Sequence, residues 1–315
     1  MVEPIFRAPD EPHAPRPALG YVMVAVASTL FAVNGTVSKV ILGSGIDSQQ
    51  LTEVRCAGAL VGLALIAAAT RPTSLRVRAR DLPLLVALGV GGLALVQWSY
   101  FFAIHRLEIG IALLIQYVAP ILVALWARFV YREHVRQRIW FALALSLAGL
   151  TLIVEIWHGG RLSGAGIAAS GVAAVTYATY VLLAERGVRR RDPISLSAWG
   201  FLFATLFWSI LAPWWNFPGG RVDDRVSLLG HLTSTHLPIW ALMLWMVMLG
   251  TIVPFALVVG ALRHITATRA GITAMLEPVV AIVVAWAWLG ESLDPVQLSG
   301  AAATLAGISL AQTSR

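Results

Sequence analysis

The chain has 315 residues, 58% of them hydrophobic and only 12% charged, and its mean hydropathy is +0.78. Soluble domains carry about twice that share of charge, so the composition excludes a soluble protein and describes an integral membrane protein. The net charge of +7 does not make it a nucleic-acid binder, because the positive charge lies in short loops between apolar runs. Cys56 is the single cysteine and lies inside such a run, which excludes a disulfide framework and a cysteine-based zinc cluster.

Residues 1–18 are Pro-rich and polar and read as a disordered cytoplasmic tail. Ten apolar runs follow, each long enough to cross a hydrocarbon core as a helix. They cover 20–42, 50–70, 82–104, 109–130, 138–157, 164–184, 195–215, 238–262, 266–289 and 295–312. The first is too long for a signal-peptide core and lacks a cleavage site after it, so it reads as an uncleaved span. Connections are short except for the polar stretch 216–237.

Basic residues set the orientation. One set of alternate loops holds Arg71, Arg76, Arg78, Arg80, Arg132, Arg136, Arg138, Arg186, Arg189, Arg190, Arg191 and Arg263. The other holds Arg106, Arg161, Arg221 and Arg225. The first set is expected in the cytoplasm, with both termini, in a multi-pass protein of the cell (inner) membrane. Trp157, Trp214, Trp215, Trp240, Trp286 and Trp288 fall at outer ends of spans and Trp140 at an inner end, where indoles favour the headgroup region.

An internal repeat organises the chain. Residues 103–153 match 261–311 without a gap, laying Pro120 on Pro278, Glu133 on Glu291 and Gly149 on Gly307. Five spans per half is an odd number, so the second half must enter the membrane inverted. Each proline lies near mid-span, where it removes a backbone hydrogen bond and frees a carbonyl in hydrocarbon. Interrupted helices at matching places in two halves point to a transporter's binding site. The fold expected is an all-α membrane protein of ten transmembrane helices in two inverted five-helix repeats, 19–158 and 159–315.

This pattern resembles the EamA family of the drug/metabolite transporter superfamily: a proline-centred helix, a glutamate at its end, then a Gly-bearing helix, once per half. The second copy, Leu276-Glu-Pro-Val279 through Leu289-Gly-Glu-Ser292 to Gly300 and Gly307, fits closely. The first departs from it, since Tyr131-Arg-Glu133 lacks the glycine and Arg138 adds charge. The resemblance implies an inverted-repeat carrier of small metabolites, often amino-acid-like and usually moved outward.

Glu277 is the leading candidate, because an acid inside a span is costly and is a functional hypothesis by default. It either binds a substrate amine or a coupling proton, or it is a protonated group bonding the backbone that Pro278 opens. Arg55 either neutralises Glu277, gates the outer mouth, or reaches the outer headgroups. Asn34 is the pocket candidate of the first span. Lys39, the only lysine, is an interface anchor or a substrate-carboxylate contact. Gln97 and Tyr100, Gln116 and Tyr117, Tyr177 and Tyr180, and Trp199 supply polar-tipped aromatic and amide groups that suit a cavity for an amphipathic metabolite; helix packing is the plainer account of each. Pro120 and Pro278 are the helix breaks. Glu133 and Glu291 read as helix-end caps.

A P-loop needs a Gly-Lys pair, which the chain lacks. No histidine pair has metal-ligand spacing, so no cofactor and no metal are expected. The partners expected are a small-molecule substrate and the lipid bilayer. The function expected is alternating-access secondary transport, as an exporter, with Glu277 the group available for proton coupling; a lipid-modifying membrane enzyme and a non-transporting accessory subunit are the alternatives.

Overall fold

The computed structural model describes residues 16–104, 106–107, 109–155, 163–211 and 217–313. The readings of residues 1–15, Trp157, Arg161, Trp214 and Trp215 lie outside the described residues.

Ten membrane-length helical elements are present among the described residues. They are α1 (Pro17–Gly43), α2 (Ser48–Thr70), α3 (82–104), α4 (109–129), α5 (Gln137–Val154), α6 (Gly164–Val188), α7 (Pro193–Leu211), α8 (Ile239–Ala261), α9 (Ala267–Leu289) and α10 (Pro295–Gln312). Nine are long and apolar enough to cross a membrane; α10 is more polar and falls outside that set. Starts are fixed by side-chain caps where the sequence supplies them. Asp47 and Asp294 each form a capping box with a glutamine three residues on, satisfying N–H groups that the helix leaves free.

The packing shows the inversion. α1 lies along α8 and α9, while α6, its counterpart in the other half, lies along α3 and α4. α2 packs on α7, and α5 on α10. Each half thus embraces the other through equivalent helices. The α5–α10 contact fixes the pseudo-twofold axis. The offset that lays Gly149 on Gly307 also lays Ala142 on Gly300 and Ser146 on Thr304. A Cβ on Gly149 would meet Gly300 O at 2.5 Å, and one on Gly307 would meet Ala142 O at 2.8 Å. Between these reciprocal contacts, Thr304 Oγ1 approaches the carbonyl of its own counterpart, Ser146, at 3.4 Å. Contacts that exchange i with j define an isologous, twofold arrangement.

Two features extend the repeat beyond the residues that match in sequence. α3 carries a π-helical segment at Ala87–Ala94 and α8 one at Met248–Ile252. The same offset superposes them, laying Gly92 on Gly250. In each, the glycine admits a side chain from the other half: Tyr180 against Gly92 and Asn34 against Gly250.

The stretch 216–237, read from sequence as a plain polar connection, contains a hairpin. Strands β1 (Arg225–Ser227) and β2 (His236–Pro238) pair antiparallel with Val226 opposite Leu237. Trp288 Nε1 donates to Leu228 O at 2.8 Å, seating this hairpin on the end of α9.

Candidate functional site

The site begins with the two prolines. α4 is broken into Ile109–Gln116 and Ala119–Phe129, and α9 is interrupted at Met275 between Ala267–Ala274 and Leu276–Val284. Both prolines are buried and face the protein interior, Pro120 against Gly271 of α9. Pro278 has no N–H for the carbonyl four residues before it, Ala274 O. Tyr117, at the break in α4, reaches across: its hydroxyl lies 3.2 Å from Ala274 O and 2.7 Å from Glu277 Oε2. The backbone opened in one half is therefore served by the break of the other. The single hydroxyl proton of Tyr117 is shared between the two acceptors, with the shorter contact to Glu277. The carboxylate, half-buried, is left with further acceptor capacity.

Arg55 is buried inside α2 and turns to the π-helical segment of α8. Its Nε donates to Thr251 Oγ1 at 2.8 Å and its Nη2 to Gly250 O at 2.9 Å. The Thr251 hydroxyl passes on to Met246 O at 2.9 Å. A π turn loosens the usual ladder, and here the guanidinium occupies a carbonyl so exposed. This excludes the headgroup-anchor reading of Arg55. Phe255, one turn further along α8, lies 5.9 Å below the guanidinium and meets Phe31, Tyr180 and Phe201 edge-on with centroids 5.3–5.7 Å apart.

Tyr100 lies on α3 with its ring 5.8 Å from that of Phe101. Tyr177 and Tyr180 stack at 6.3 Å on one face of α6. Gln97 donates to Leu93 O at 3.1 Å and towards Cys56 Sγ at 3.6 Å. Four buried atoms on the candidate residues have no protein partner: Asn34 Oδ1, Gln97 Oε1, Gln116 Oε1 and Tyr180 OH. A buried polar atom left unpaired costs about 1–3 kcal/mol, so each calls for water or a polar ligand.

One candidate falls elsewhere. Trp199 Nε1 donates to Leu75 O at 3.1 Å, which ties it to the loop between α2 and α3 and takes it out of the central set. Lys39 is exposed. Among the described residues no group of three His, Cys, Asp or Glu could hold a metal. Sequence reasoning missed Thr251 and Phe255. Their only signal was position, in the repeat of a Gly-rich stretch and beside Pro254.

These features define an inverted-repeat membrane bundle with its polar centre at paired helix breaks, the architecture of a carrier. The chain belongs to the EamA-like transporter family, which matches residues 18–155 and 164–313. It is 28% identical over 280 residues to an uncharacterized transporter of Archaeoglobus fulgidus, covering 88% of this chain and 91% of that one. It is 27% identical over 249 residues to the threonine/homoserine exporter RhtA of Salmonella typhimurium, covering 78% and 76%. The uncharacterized transporter YdfC of Bacillus subtilis is 24% identical over 231 residues, covering 73% and 71%. A solved crystal structure shares the fold with a TM-score of 0.75 at 16% identity, covering 93% of this chain and 96% of that one.

Proposed function

We propose that the protein is a secondary transporter that exports a small, amine-bearing metabolite, amino-acid-like or amphipathic, by alternating access. The observation that carries the reading is the Tyr117–Glu277 hydrogen bond between the two broken helices. A carboxylate there recognises an ammonium group or carries a proton, and its partner sits on the opposite half. Loading Glu277 therefore changes a contact between the halves that must move. The phenols and the Phe255 cluster supply amphipathic surface beside it. The relatives named as threonine/homoserine exporters support the amino-acid-like class and the outward direction. The arginine-rich loops support cytoplasmic termini in the inner membrane.

The test uses purified protein in liposomes. Amino acids and amphipathic amines are first screened for raising the melting temperature, since a ligand of the folded form stabilises by mass action. Those that bind are then loaded for counterflow. Autonomous exchange of chemically unchanged substrate is expected. No exchange of any stabilising ligand would reduce the chain to an accessory role, and altered substrate would make it an enzyme.

A further inference from the structure

A second polar site lies far from the helix breaks. Where α2 and α6 end and α3 and α7 begin, the 71–81 and 189–192 loops border an open recess of about 560 Å³. Arg191 forms its floor, with its side chain only 8% exposed. Its Nη2 donates to Ser74 O at 2.9 Å and Arg76 O at 3.1 Å, and its Nη1 lies 3.6 Å from Asp81 Oδ2. Its buried Nε has no protein partner.

The two carboxylates of the cavity are already engaged. Asp81 faces Arg191, and Asp192 holds Arg71 at 2.5 Å and Arg263 at 3.9 Å while accepting from the Ile194 N–H at 3.0 Å. Arg76, Arg78 and Arg190 line the cavity, are exposed, and make no ion pair among the described residues. The result is a cationic recess with spare guanidinium donors, the chemistry that recognises phosphate oxygens.

The surroundings decide where the phosphate comes from. The recess sits at the depth where four helices end, which is headgroup level. Leu82, next in the chain to the lining residue Asp81, and Val86, one turn on along α3, are 39% and 40% exposed, and Ile66 near the end of α2 is 37% exposed. A soluble phosphate has no use for an apolar track; an acyl chain does. We propose that this recess binds the phosphodiester headgroup of an anionic phospholipid, with its chains lying along the exposed face of α3. Basic pockets between membrane helices are suited to such headgroups. The site ties the 71–81 loop of one half to the 189–192 loop of the other.

The test titrates the full chain in detergent with short-chain phosphatidylglycerol, phosphatidylcholine or inorganic phosphate and reads the melting temperature. Phosphatidylglycerol alone is expected to raise it. The triple variant Arg76→Gln/Arg78→Gln/Arg190→Gln is expected to bind about a hundredfold more weakly, at about 1 kcal/mol per arginine. The variant Arg132→Gln/Arg136→Gln/Arg138→Gln, with the same charge loss on other loops of this face, keeps the response. Equal stabilisation by phosphatidylcholine or by inorganic phosphate overturns the assignment, as does an unchanged response in the first variant. Should that variant not fold, native mass spectrometry of the wild type decides: selective retention of phosphatidylglycerol from an equimolar mixture supports the site, and equal retention of both lipids overturns it.

Discussion

Removing the Tyr117 hydroxyl tests the link between the two breaks. Tyr117 is 4% exposed, and its hydroxyl serves Glu277 Oε2 and Ala274 O. In Tyr117→Phe the ring still fills its place, so packing is kept and the polar contacts are lost. A hydrogen bond contributes about 1 kcal/mol net, more when one partner is charged, and an orphaned buried carbonyl costs about 1–3 kcal/mol. The sum expected is about 2–3 kcal/mol, or a fall in melting temperature of about 3–5 °C for a chain of this size. A double-mutant cycle isolates the pair: Tyr117→Phe, Glu277→Met and both together, each followed by thermal unfolding in detergent. A coupling of about 1–2 kcal/mol is expected. Additivity within about 0.3–0.5 kcal/mol, the range found for residues that do not touch, would refute the bond and with it the argument that the halves communicate through it.

Three further outcomes follow from other contacts. Arg132 has φ 56° where its repeat partner Gly290 has φ 74°; Arg132→Gly is expected to raise stability by about 0.5–1 kcal/mol by removing left-handed strain, with transport unchanged, as read by thermal unfolding and counterflow. Gly149→Ala places a methyl group against Gly300 O, and Gly307→Ala places one against Ala142 O; each is expected to lose about 1–3 kcal/mol by overpacking, and similar losses in the two melting curves would reflect the twofold axis. Arg55→Met strands Gly250 O and leaves the Thr251 hydroxyl without its donor; it is expected to bind stabilising ligands more weakly and to lose counterflow, while Arg55→Lys, which keeps the charge and one bond, recovers part of both.

Much of this fold was legible in the chain. Spans declare themselves by apolar length, and Pro120 and Pro278 mark the breaks because proline withdraws an N–H whatever surrounds it. The 158-residue offset between those prolines carried the inversion, since five spans per half forces it. The π-helical segments were not legible: widenings of eight and five residues leave no periodic trace, and the side chains that meet their glycines, Tyr180 at Gly92 and Asn34 at Gly250, come from the other half. The direction of Arg55 was hidden for the same reason, because its acceptor exists only once α8 has widened. The partner of Trp199 was not legible, because an indole in a span looks the same whether its N–H meets a cavity or, as here, the Leu75 carbonyl. The hairpin at 225–238 was hidden by its brevity, three residues per strand.

The account turns on the Glu277 carboxyl as the load-sensing group between the halves. The direct measurement compares wild type and Glu277→Gln in liposomes, each assayed for counterflow at equal pH on both sides and for accumulation driven by a pH gradient. The account predicts that Glu277→Gln loses counterflow where the carboxylate binds the substrate amine, or loses gradient-driven accumulation alone where it carries a proton. Wild-type behaviour of Glu277→Gln in both assays would contradict it.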